Sequence, residues 1–113
     1  MKKYFIILFA LISIQSLANV VNSVEQARNL VNQSIKKYNL MYMPEGCYFT
    51  IDTETVETYE FDFYEIHDDK CGGDPMIAHR MFSYLVDKKT GQLYTSARLP
   101  HLTDWDMSYN PID

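Results

Sequence analysis

The chain has few cysteines, few basic residues and no long apolar run, and each shortage excludes a class of function. Cysteine occurs twice, at Cys47 and Cys71, in 113 residues. Two distant cysteines cannot form a close Cys-x-x-Cys redox pair or a four-cysteine zinc site. A Gly-x-Ser-x-Gly elbow is missing, and His67, His79 and His101 are scattered rather than spaced for a base or a metal. Basic residues are outnumbered, 10 Lys and Arg against 15 Asp and Glu, for a net charge of −5. A chain of that sign repels phosphate backbones and anionic headgroups, so nucleic acid and membrane surfaces are excluded as partners. A basic protein is the favoured one.

What is present begins with an export signal. Lys2 and Lys3 form a basic start, Tyr4 to Ile14 is apolar but too short to span a bilayer, and Ser16-Leu17-Ala18 offers small residues to a signal peptidase. Residues 1–18 are therefore expected to be a signal peptide cleaved after Ala18, with a bacterial periplasm or the medium as destination. No lipobox cysteine follows. Residues 19–113 are read as one small domain, a monomer, made more acidic by the loss of Lys2 and Lys3. In an oxidising compartment Cys47 and Cys71 are expected to join as a disulfide. The closed loop of about 25 residues contributes about 3–4 kcal/mol in the chain-entropy model.

Along residues 19–113, Ser23 and Gln26 fit a capping box, and Val24, Ala27, Leu30, Val31, Ile35 and Tyr38 recur at helical spacing. This predicts an amphipathic helix over 23–38. Met41 to Met43 either cover one end of the core or form a sticky edge. Cys47–Asp52, Thr58–His67, Arg80–Asp87 and Gln92–Arg98 alternate as strands. Asp87 to Gly91 reads as a hairpin turn. Tyr48 and Tyr64, with Thr50, Glu60 and Asp62, are placed on the sheet face away from the helix, as an interface or under a second layer. Residues from about 100 onward form an aromatic tail with Trp105, Met107 and Tyr109, expected to fold over the sheet.

One helix followed by an antiparallel sheet of about four strands is an α+β layer pair. Three stretches give it a resemblance to PepSY-like domains, within a PepSY/cystatin-like layout. They are Ser-Val-Glu-Gln-Ala-Arg at 23–28, Tyr-Glu-Phe-Asp-Phe-Tyr-Glu-Ile at 59–66 and Phe-Ser-Tyr-Leu-Val-Asp-Lys-Lys-Thr-Gly-Gln-Leu at 82–93. The last is similar to that family's closing hairpin. The resemblance implies an inhibitory or regulatory binding module outside the cytoplasm, without catalytic residues. The Cys-Gly-Gly-Asp-Pro loop, the cysteine pair and the tail depart from a minimal unit of that family.

The candidate site is the loop after the second strand. Gly72, Gly73, Asp74 and Pro75 make a protrusion pinned by Cys71, flanked by Asp69 on one side and His79 and Arg80 on the other. A pinned loop binds with less ordering cost than a free one. It either plugs a partner's cleft or merely braces a connection. His67, Asp68, Asp69 and Asp74 cluster there, but without calcium-loop or zinc spacing they read as a polar turn. No cofactor, metal or catalytic residue is assigned. The expected function is an exported, non-enzymatic protein-binding module, an inhibitor, immunity or regulatory protein for a cell-envelope enzyme. The alternative is a periplasmic carrier of a small ligand or metal.

Overall fold

The computed structural model describes residues 20–102 and 104–112, and the export signal read at 1–18 lies outside them. The elements are α1 (Val24–Tyr38), β1 (Tyr48–Glu54), β2 (Thr58–Glu65), β3 (Arg80–Asp87), β4 (Leu93–Thr95) and β5 (Asn110–Ile112). Among the described residues, no helix is long and apolar enough to cross a membrane.

Both ends of α1 are set by local chemistry. Ser23 Oγ accepts the Gln26 amide at 3.1 Å, while Gln26 Oε1 accepts the Asn22 amide at 3.0 Å. The Gln26 side chain thus reaches one residue further back than a strict capping box requires. Asn39 closes the helix in the left-handed region at φ 52°, its amide meeting the Ile35 and Lys36 carbonyls. Ala27, Val31, Ser34 and Ile35, spaced by fours and threes, form the buried stripe.

The sheet has five antiparallel strands in the order β1-β2-β3-β4-β5, so each strand pairs with its neighbour in sequence. This corrects the expected four. The additional strand is β5, which lies in the aromatic tail and pairs Leu93 with Ile112 and Thr95 with Asn110. It carries Pro111 at its centre, and a residue without an amide is tolerated there because β5 is an outer strand. The tail packs. Trp105 Nε1 donates to the Ser96 carbonyl at 2.9 Å, and Tyr109 Oη donates to Glu60 at 3.4 Å across the face remote from α1.

Cross-strand partners share a face. Tyr59, Phe61 and Phe63 stand opposite Val86, Tyr84 and Phe82. With Leu93 and Ile112 they form the layer beneath α1. Phe63 and Phe82 stack with centroids 5.0 Å apart, and Phe82 meets Tyr84 edge-on at 6.0 Å. The Tyr84 hydroxyl is buried there, and its partner is Ser34 Oγ on α1 at 2.9 Å. That pairing spares both groups the cost of an unsatisfied buried hydroxyl.

The register corrects one further expectation. Thr50 pairs with Phe63, whereas Phe49 pairs with Tyr64 and Ile51 with Asp62. Tyr48 and Thr50 therefore stand on the helix side, and only Tyr64, Glu60 and Asp62 of the expected set face away. Alternation within a strand says which residues go together. Pairing register alone says which way they point. The register also breaks between Phe63 and Tyr64, where pairing passes from Phe82 to Arg80 and leaves Met81 as a bulge. This bulge lies where β2 and β3 run into the long loop between them. Shorter than expected, β4 stops at Thr95. Beyond it the Ser96 amide still donates to the Ser83 carbonyl at 3.0 Å, and side chains add to that bond, with Thr95 Oγ1 donating to the same carbonyl and Ser96 Oγ accepting the Ser83 amide.

A braced loop as the candidate functional site

Residues 66–79 join β2 to β3 without a helix or strand of their own, a length that is uncommon for a plain connection. Their shape is maintained from inside. Cys47, just before β1, is bonded to Cys71 with the Cα atoms 5.5 Å apart, and the Cys47 carbonyl accepts the Ile66 amide at 2.8 Å. Asp68 Oδ1 accepts the amides of Lys70 and Cys71 at 3.0 and 2.7 Å, the local turn that Asp side chains favour. The Asp68 carbonyl accepts the Gly72 amide at 2.8 Å. Asp74 repeats the device, Oδ1 taking the Met76 amide at 3.0 Å and its carbonyl the Ile77 amide at 3.0 Å.

His67 ties these turns to the sheet. Its Nδ1 lies 2.9 Å from the Asp74 carbonyl and its Nε2 lies 2.7 Å from Glu65 Oε1. Both partners only accept, so both ring nitrogens serve as donors and the imidazolium form is favoured. The His67 pKa is accordingly raised, by Glu65 first and by the Asp74 carbonyl second. Glu65 is held below the usual carboxylate range, first by His67 and next by the Tyr42 hydroxyl. Tyr42 Oη donates to Glu65 Oε2 at 2.7 Å, and the phenol is pushed up to about 12, by burial first and by that bond second. The His67 ring lies against Gly73, where an added Cβ would meet Cδ2 at 2.6 Å. With φ at 81°, Gly73 is required both for its backbone and for its missing side chain.

The residues singled out from sequence therefore separate into three groups. Gly73 and Asp74, though exposed, maintain the loop. Asp69, Gly72 and Pro75 are also exposed on it. His79 and Arg80 lie where the loop rejoins β3. There they line a cleft of about 450 Å³ together with Tyr42, Arg98, Trp105 and Met107. That lining carries cationic groups and no carboxylate, the reverse of the chain's overall sign. Sequence reading missed Met76 and Ile77, which stand 89% and 56% exposed just past Pro75. The available signal was an apolar pair outside the alternation of either strand, in a loop otherwise rich in Asp, Gly and His.

This arrangement presents apolar side chains on a pre-ordered backbone beside a cationic, aromatic cleft. Among the described residues, no three of His, Cys, Asp and Glu converge where a metal could sit. Comparison of the chain with family models, with curated proteins and with solved structures returns no match.

Proposed function

We propose that this protein is an exported, non-enzymatic binding module of the PepSY-like kind. It docks the 66–79 loop on a cell-envelope enzyme and thereby inhibits, neutralises or regulates it. The observation that carries this reading is the contrast within the loop. His67, Asp68 Oδ1 and Asp74 Oδ1 are bonded within the loop or to its base, and the disulfide ties it to the start of β1, while Met76 and Ile77 are left in water. Exposed apolar side chains on a backbone already ordered make a contact surface that loses little entropy on binding. Support also comes from the element order, one helix on an antiparallel meander.

The test is capture from periplasmic extract with the disulfide-bonded chain and with a Met76→Asp, Ile77→Asp variant. A protein retained by the first and lost by the second is the expected result. Capture of nothing, or equal capture by both, refutes the reading. The carrier alternative has open clefts of about 410 and 320 Å³ in its favour, lying beside Gln92 and Ile112. A small molecule retained in native mass spectrometry would move the conclusion there.

A further inference from the structure

β1 has one neighbour in the sheet, and among the described residues no strand pairs with its far edge. Every residue of it but Tyr48 is exposed. Proteins usually blunt such an edge with Lys, Pro, a bulge or a cover, because unpaired amides and carbonyls template another strand. Of the devices known to blunt an edge, β1 carries only charge, at Asp52 and Glu54. Its sequence Tyr-Phe-Thr-Ile-Asp-Thr-Glu contains no Lys, Pro or Gly, and its register with β2 is unbroken from Tyr48 to Glu54. The opposite edge shows the contrast, since β5 is only 3 residues long and carries Pro111.

The two faces of β1 differ chemically. Phe49 and Ile51, 43% and 47% exposed, point away from α1, and Phe49 stacks on Tyr64 at 5.3 Å. Asp52 and Glu54 point to the helix side, where each has a single cation, Arg28 and Lys88 respectively. Both ion pairs are partly solvated and contribute little to stability, so the carboxylates can still take a second donor.

We propose that the free edge of β1 accepts an extended segment of a protein partner as a sixth strand, and that this segment alternates apolar and basic residues. Backbone hydrogen bonds give the affinity, and side chains of period 2 give the selectivity. The apolar residues lie on Phe49 and Ile51, and the basic ones face Asp52 and Glu54. A second copy of this chain is a poor occupant, because it brings its own acidic residues and a net charge of −5 to the same edge. The proposal rests on the protein-binding reading above. Cys47 leads into β1 and is bonded to Cys71 of the loop, so the two elements are held together.

The probe is a capped heptapeptide, Lys-Val-Lys-Phe-Lys-Val-Lys, titrated into the disulfide-bonded chain and followed by NMR and amide hydrogen exchange. Saturation is expected to slow exchange in β1 by about tenfold or more. Binding is expected to weaken by about tenfold or more with Glu in place of Lys, with alternate peptide amides N-methylated, or with Ile51→Lys in the protein. Ile51 is exposed, so that variant keeps the wild-type melting temperature. No perturbation of β1 at millimolar peptide, undiminished binding of the N-methylated peptide, or dimerisation through β1 overturns the proposal. A natural partner separates the two readings. If it is lost with Met76→Asp, Ile77→Asp yet retained by Ile51→Lys, the edge proposal falls and the loop reading stands. Loss with Ile51→Lys alone has the opposite meaning.

Discussion

Strands β1 and β3 both set aromatic and aliphatic side chains on one face of the sheet, and they end in opposite environments. β3 is covered on both faces. Phe82, Tyr84 and Val86 lie under α1, while Met81 and Ser83 are buried on the other side, where the 104–109 segment crosses the sheet. β1 lies at the margin of the helix layer: α1 packs mainly on β2 and β3 and meets β1 through the Arg28–Asp52 pair, and Phe49 and Ile51 remain in water. The difference teaches that alternation specifies a strand and says nothing of its cover. Cover comes from what the rest of the chain brings over it.

Substitutions can break this comparison, and the largest effect belongs to the covered side. Phe61→Ala, at a position 1% exposed, should lower the unfolding free energy by about 3–5 kcal/mol in urea denaturation. A smaller loss suffices to refute the assignment of Phe61 to the centre of the core. Replacing Cys47 and Cys71 by Ser should remove about 3–4 kcal/mol, with amides of 66–79 losing hydrogen-exchange protection before those of β3. Unchanged stability in that variant, or in the reduced protein, would show that the link does not brace the loop. Gly73→Ala should cost about 1–3 kcal/mol, since φ is positive and the new Cβ runs into His67.

A smaller effect is set by pH. His67 has its folded pKa above the usual 6.5, so its contribution is present below that value and is lost as pH rises through the folded one. Glu65 has its folded pKa below the usual 4.5, so its contribution is present above 4.5 and is lost as pH falls through the folded one. The base of the loop is therefore held most firmly between those two usual values. NMR titration of the His67 ring protons should give a midpoint above 6.5, with loop exchange quickening on the alkaline side. A midpoint at or below 6.5 would dissolve the pairing. The smallest effect lies on the uncovered strand, where Ile51→Thr should change stability by no more than about 0.5 kcal/mol.

Much of the frame was legible from residue order. Ser23 and Gln26 mark the start of α1 because caps act over three or four residues. Asp87 and Gly91 mark the hairpin for the same reason, with the Gly91 amide on the Asp87 carbonyl at 2.9 Å and Gly91 at φ 73°. The loop was legible as a pinned protrusion, but the partners inside it were not. Only the folded loop shows Asp74 Oδ1 taken by the Met76 amide and the Asp74 carbonyl by Ile77 and His67. β5 left no trace because a strand of 3 residues is too short for alternation to show.

Residue order by itself determined the amphipathic helix, the alternating strands, the tight turn and, with two cysteines only, the sulfur pairing. Tertiary structure alone decided that Phe49 and Ile51 face away from α1, that residues 110–112 extend the sheet beyond β4, and that no strand among the described residues pairs with the far edge of β1. The physical reason is range. Caps and turns are closed by groups a few bonds apart, whereas register and cover are chosen by segments that meet only when the whole chain has packed.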